Sequence, residues 1–361
     1  MRFPEFEGEW ETTKLGTNCN VLMCKRILAA QTNTTTGIPF YKIGTIGDVP
    51  DVYISKELFE LYREKYNYPK VGEVLITCAG TVGKCLQFDG KDAYFQDSNI
   101  VWIDNPCQKI KNSFLYRLLL NVDWSKLNST TITRIYNDNL RDLKLVFPQS
   151  DEQDKITNFL TLIDQRLSTQ NKIIESLESL IKGLNRTLFK FGNECKKIKL
   201  GDLCSITTGK LDANAMVKDG LYPFFTCAEQ VYRINSFAFN TEALLISGNG
   251  ANVGYINYYK GKFNAYQRTY VLSDFKENIQ YIRYYLKAYL HTRIGQEKNV
   301  GNTPYIVLNT LSDMWISFPS QNRQNQIVAI LATLNKKLQI EKSLLEQLNS
   351  QKRFLLSQMF I

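Results

Sequence analysis

Two stretches of the chain share one hydrophobic spacing. Positions 156, 160, 163, 167, 170, 174, 177, 181, 184 and 188 step alternately by four and three, and hold Ile, Leu, Ile, Leu, Gln, Ile, Leu, Ile, Leu and Leu. The second stretch runs Ile327, Leu331, Leu334, Leu338, Glu341, Leu345, Leu348, Lys352, Leu355 and Met359. Such steps keep every position on one stripe, so each stretch predicts a long helix with a coiled-coil seam through Ile156, Leu160, Leu167, Gln170 and Leu177, and through their counterparts. Pro148 and Pro319 end the strand before each helix, and Ser150-x-x-Gln153 predicts a capping box. Gln170 and Glu341 are polar positions near the seam centres. Tolerated imperfection accounts for them plainly; more sharply, single polar seam residues fix register or orientation. Antiparallel pairing would bring the two middles together. Helices of this length span roughly 57 Å at 1.5 Å per residue and would hold two globular domains apart.

The helices are the clearest part of a duplication. Phe147-Pro148 through Gln153 is matched by Phe318-Pro319 through Gln324, 171 positions later, and that offset holds for about forty residues. Upstream, Lys14-Leu15-Gly16 answers Lys199-Leu200-Gly201, and Cys19 answers Cys204. Leu75-Ile76-Thr77 precedes Gly80-Thr81-Val82-Gly83 as Leu245-Ile246-Ser247 precedes Gly250-Ala251-Asn252-Val253-Gly254. The period is far too long for a solenoid and implies two copies of a globular domain followed by a helix, with internal pseudo-two-fold symmetry. The expected fold is α/β of the α+β type, with domains at 1–149 and 193–320 and long helices at 150–192 and 321–361.

Within the domains, 71–77 and 242–247 read as buried strands, and 94–103 and 266–272 as further strands. Asp89-Gly90 and Lys260-Gly261 read as hairpin turns. Short helices are expected at 55–65, 111–121 and 278–294.

Composition narrows the chemistry. The 361 residues carry a formal charge of +9, 44% hydrophobic residues and one histidine, so the chain can bury real cores, and a polyanionic partner is a modest expectation. No run of 18 apolar residues occurs, so no membrane span is expected, and Met1-Arg2-Phe3-Pro4-Glu5 lacks the apolar core of a signal peptide. The eight cysteines include no Cys-x-x-Cys pair, which suits reduced thiols in a cytoplasmic protein better than a zinc or disulfide framework. A lone histidine rules out histidine-rich metal sites; His291 reads as a partly exposed residue near a helix end.

Two glycine- or proline-marked segments fail as cofactor motifs. Gly80-Thr-Val-Gly83-Lys84 lacks the phosphate-loop spacing and following hydroxyl and reads as a turn between strands. Asn105-Pro106-Cys107-Gln108 lacks the companion elements of an amino-methyltransferase and reads as a loop ending a strand. No catalytic residue, metal site or cofactor is assigned. The candidate DNA contacts are Lys25, Arg26, Arg134 and Asn137 in the first domain, and Lys210, Asn214, Arg233, Arg268 and Tyr270 in the second. Lys298-Asn299 is a further polar stretch. Arg and Asn can pair with base edges, whereas Lys mostly positions phosphates; for each residue alone a solvated surface role competes.

Taken together, the quoted segments resemble the specificity subunit of a type I restriction–modification system over nearly the whole chain. The resemblance rests on Arg2-Phe-Pro-Glu-Phe-x-Gly8-x-Trp10 with Lys14-Leu-Gly16, and on Tyr94-Phe-Gln-Asp-Ser-Asn-Ile100. It rests equally on Gly209-Lys-Leu-Asp-Ala-Asn214, Tyr222-Pro-Phe-Phe-Thr226, Lys260-Gly-Lys-Phe-Asn-Ala-Tyr-Gln-Arg268 and the two Phe-Pro helix units. It implies two target recognition domains, each reading half of a split site in double-stranded DNA, with the helices as a ruler. It also implies no catalysis by this chain, and partnership with two adenine methyltransferase subunits, which carry S-adenosylmethionine, and with restriction subunits. Outward helix faces would dock the methyltransferases. The competing readings are a fused methyltransferase or nuclease, for which no motif is found, and a DNA-binding scaffold without enzymatic partners.

Overall fold

The computed structural model describes residues 2–127, 134–191, 195–296 and 305–359; Lys298 and Asn299 lie outside them. The chain divides into two compact units, one of residues 1–169 with 346–361 and one of residues 170–345. The helices Ser150–Leu188 and Gln321–Met359, each of 39 residues, contribute to both units.

In the first unit, Glu11–Lys14 pairs antiparallel with Lys144–Phe147. A four-stranded sheet follows in the order Asn20–Leu22, Ile100–Asp104, Val74–Thr77, Cys85–Gln87. Val74–Thr77 is buried at every position, as a strand covered on both faces requires, which is why its sequence is an apolar run rather than an alternation. A second sheet runs Thr32–Asn33, Tyr53–Ile54, Ile38–Tyr41, Tyr94–Phe95, the last two parallel. Helix Lys56–Lys65 is capped by Ser55, whose hydroxyl accepts from Leu58 N at 3.2 Å. A further short helix, Asn112–Leu120, buries Phe114, Leu115, Arg117 and Leu119.

The second unit repeats this plan. Lys196–Lys199 pairs with Trp315–Phe318. Its six-stranded sheet runs Ser205–Thr208, Thr269–Ser273, Phe239–Ser247, Ile256–Ala265, Tyr222–Phe225, Tyr232–Ile234. The first four strands reproduce the order of the first unit's four-stranded sheet, and Tyr222–Phe225 lies parallel to its neighbour as Ile38–Tyr41 does. Helix Ile279–Gln296 begins where Asn278 Oδ1 accepts from the backbone N–H groups of Gln280 and Tyr281.

Four local expectations are corrected. Lys260-Gly261 is not a hairpin turn: it lies inside Ile256–Ala265, with Gly261 opposite Thr241 at φ +134°. Asp89-Gly90 turns the chain, with Asp89 Oδ1 accepting from Lys91 N, but joins strands of different sheets. Residues 94–103 form two short strands instead of one, broken where Ser98 takes φ +54°. Gln153 does not close a capping box with Ser150. Its amide donates to the carbonyls of Pro148 and Lys109 and accepts from Lys111 N, tying the helix start to the preceding loop; Gln324 likewise donates to Pro319 O.

The long helices pair antiparallel. In the first unit, Ile156, Leu160 and Ile163 near the start of one helix share a core with Leu356 and Met359 near the end of the other. In the second unit, Leu184 and Leu188 meet Ile327 and Leu331. Gln170 Nε2 donates to Glu341 Oε2 at 2.7 Å and to Glu341 O at 3.1 Å. Leu167, Leu177 and Leu348 are buried and Leu338 half-buried. Among the described residues no helix is long and apolar enough to cross a membrane.

Candidate nucleic-acid interface

One end of the main sheet in each unit gathers the loops that carry polar candidates, and the same backbone bonds hold them. In the first unit, Cys78 N donates to Asn99 O at 2.8 Å, Gly83 N to Thr77 O at 2.8 Å and Ile135 N to Cys78 O at 2.8 Å. In the second, Gly248 N donates to Arg268 O at 2.9 Å, Gly254 N to Ser247 O at 2.8 Å and Ile306 N to Gly248 O at 2.7 Å. The glycine-rich segments are therefore hairpin turns, as expected from sequence. Gly80, Gly83, Gly250 and Gly254 all have positive φ, which L side chains adopt at a cost.

In the first unit, Lys25 and Arg26 follow the strand Asn20–Leu22. Lys25 Nζ lies 5.5 Å from the centre of the Tyr66 ring, and Arg26 Nε pairs with Asp97 Oδ2 at 2.8 Å. Arg134, half-buried, stacks its guanidinium on Tyr136 and stands near Cys78. Burial raises that thiol to about 11, with the Arg134 charge opposing the rise. Asn137 opens a short helix to Arg141. The structure thus brings Arg26 to the 96–99 loop and Arg134 to the glycine turn. Sequence reading assigned no DNA role to Asn99, to Asp97 or to Lys84, whose ammonium pairs with Asp48 at 3.2 Å.

In the second unit, Lys210 follows the strand Ser205–Thr208, and its neighbour Leu211 bridges to Tyr266. Arg268 is exposed at the next turn, and its carbonyl accepts from Gly248 N and from Cys227 Sγ. Asn252 joins this group by donating to Cys227 O at 3.2 Å. Tyr270 is half-buried and its hydroxyl donates to Ile306 O at 2.9 Å, so it braces the turn; burial pushes its pKa up. Asn214 lies in the turn Ala213–Ala215, held through Asp212 Oδ1. Arg233 is exposed on the edge strand Tyr232–Ile234, opposite Pro223. Among the described residues, Lys210, Arg233 and Arg268 have no acidic partner, whereas Arg26 and Lys84 do.

The equivalent bonds of Cys78 to Asn99 and of Gly248 to Arg268 place Asn99 where Arg268 stands, two positions from the residue that the 171-residue offset of the sequence repeat gives.

The family model described as "Type I restriction modification DNA specificity domain" matches the chain twice, over residues 7–179 and 193–350. The chain belongs to this type I specificity family. Two curated members show the local relationship. A putative type I restriction enzyme specificity subunit of Haemophilus influenzae is 46% identical over 169 residues, 47% of this chain and 43% of that protein. The EcoDI specificity subunit of Escherichia coli is 42% identical over 153 residues, 42% of this chain and 34% of that protein. The chain thus spans less than half the length of these relatives. Over its whole length its fold resembles that of a type I restriction–modification S subunit from M. genitalium, with a TM-score of 0.66 at 16% identity and coverage of 100% and 99% of the two chains.

Proposed function

We propose that this chain is the DNA-reading, non-catalytic subunit of a type I restriction–modification complex and recognises a split site in double-stranded DNA, one half by each unit. The observation that carries the reading is the equivalent construction of the two loop clusters on differing side chains. A duplicated scaffold offers two reading surfaces, and Asn99 against Arg268 makes their preferences differ. Direct readout needs such donors at base edges, while cations such as Lys25 and Lys210 fix the backbone. Lys25, Arg26, Arg134 and Asn137 serve the first half-site; Lys210, Asn214, Arg233 and Arg268 serve the second, with Tyr270 bracing the turn. The recognition domains are 1–149 and 193–320, and the helices 150–192 and 321–361 set the spacing of the half-sites.

The outward helix faces dock methyltransferase subunits, two per chain, and restriction subunits join that core in the cytoplasm. Methylome sequencing with the gene present and deleted tests the reading: a split adenine-methylated motif disappears on deletion. An unchanged methylome, or robust methyl transfer by the isolated chain, overturns it.

A further inference from the structure

In the second unit a cleft of about 330 Å³ opens between helix Ile279–Gln296 and the long helices. Its walls present Lys182 and Arg186 from one long helix, and Lys287 and His291 from the shorter helix, with Asn185 and Thr292 between them. Ile181, Ala288 and Leu338 supply its apolar surface. The acid present, Glu178, is already held by Lys342 at 2.6 Å. Among the described residues, Lys182, Arg186 and Lys287 have no acidic partner.

The equivalent place in the first unit is filled. There Arg117 donates to Asp164 at 2.5 Å and to the Thr161 hydroxyl at 3.1 Å, and Lys352 pairs with Asp164 at 2.6 Å. The 171-residue offset of the long helices maps Asp164 to Asn335 and Lys352 to Ile181. The second unit has therefore lost the carboxylate that balances the charge, and an apolar side chain stands where the first unit has Lys352. Asn335 turns its amide to Leu331 O at 2.7 Å. Asn185 Oδ1 is buried without a hydrogen-bond partner among the described residues, and rotating that amide would offer its NH₂ instead.

We propose that this cleft is a binding site for a phosphoryl anion. Three clustered cations match a multiply charged phosphoryl group better than a single carboxylate, and Arg186 can hold two oxygens at once. Lys287 is exposed at the rim of the cleft, where an anion can reach its ammonium directly. His291 Cε1 lies 3.4 Å from where a Cβ on Gly254 would stand, so the cleft adjoins the turn that holds Arg268. The anion can come from a DNA backbone or from a free polyphosphate. The DNA source rests on the proposed function; the anion chemistry does not.

The test uses the full chain titrated with inorganic pyrophosphate in a calorimeter at low ionic strength. The variant Lys182→Gln/Lys287→Gln is expected to bind at least fivefold more weakly with an unchanged melting temperature. The variant Ala288→Arg/Asn335→Asp, which adds bulk to the cleft wall and restores the carboxylate found in the first unit, is expected to block binding. No binding by the unaltered chain, or binding by both variants as tight as the unaltered chain's, overturns the proposal. Duplex binding across a salt series then separates the sources. A slope reduced by about two in the Gln variant assigns the site to DNA phosphates, and an unchanged slope beside lost pyrophosphate binding assigns it to a free polyphosphate. Should the chain bind no duplex, the pyrophosphate titration still decides.

Discussion

Gln170 donates its side-chain amide to the Glu341 carboxylate at 2.7 Å, and the two residues occupy the same position in the two copies of the repeat. Equivalent positions meet where two antiparallel helices of one repeat face each other at their middles. One is a neutral donor and the other an acid, so the charge-assisted bond forms only between unlike copies.

Replacing Gln170 by Glu places two carboxylates together. Thermal denaturation at pH 7 is expected to show a loss of about 1–3 kcal/mol, partly recovered as the pH falls and one carboxyl is protonated. Glu341→Gln is expected to cost less, because amide still meets amide. Equal melting curves for both variants and the parent would show that the pair does not hold the seam.

Asp164 answers Arg117 and Lys352. Burial raises its pKa, but the hydrogen bonds from Lys352 and Arg117 outweigh burial, and the net shift is downward. A carboxyl with a lowered folded pKa adds stability above its unfolded value near 3.9, and that stability is lost as the pH falls through the lower folded pKa. Asp164→Asn, which leaves buried Arg117 without its acid, is expected to cost about 3 kcal/mol at pH 7. The gap between parent and variant melting temperatures should close below about pH 4. A gap constant with pH would remove the electrostatic account.

Gly83 and Gly250 have similar φ, +80° and +79°, in equivalent turns, but different surroundings. A Cβ on Gly83 would stand 2.1 Å from Trp124 Cδ1, whereas one on Gly250 meets nothing within 4 Å. Gly250→Ala is expected to cost only backbone strain, about 1–2 kcal/mol; Gly83→Ala adds overpacking, for a further 1–3 kcal/mol or so. Chemical denaturation of both variants measures the difference, and similar midpoints would contradict it.

Arg268→Ala distinguishes two roles for the exposed guanidinium. Loss of a base contact is expected to relax one position of the second half-site; loss of a phosphate contact should lower the salt slope by about one across all sequences. Affinity and preference both unchanged would remove Arg268 from the interface.

The helices were the most legible part of the chain, because a four-three stripe has one physical solution and the duplication repeats it. The antiparallel order followed from the central polar pair. The sheets were less legible. Gly261 and Gly90 look alike in sequence, yet one sits within a ten-residue strand and the other turns the chain between sheets. Cross-strand partners decide that, and they are remote in sequence. Gln153 was misread for the same reason: its partners, Lys109 and Lys111, lie on a loop that a local capping rule does not consider. Of the candidate contacts, the exposure of Lys25, Lys210 and Arg268 was readable from their polar surroundings. The bond of Tyr270 to Ile306 and the pairing of Arg26 with Asp97 depend on loops brought together by the fold.

Leu356 and Met359 pack into the same core as Leu160, Leu115 and Val74. The second unit is contiguous in sequence from 170 to 345, whereas the first draws on segments either side of it. On a ribosome the earlier-made unit is therefore the later one to be completed. Its strands emerge early, but its core waits for helix turns synthesised after the whole of the other unit. The usual N-to-C order of domain maturation thus leaves the first unit waiting on the last turns of the chain for its full core.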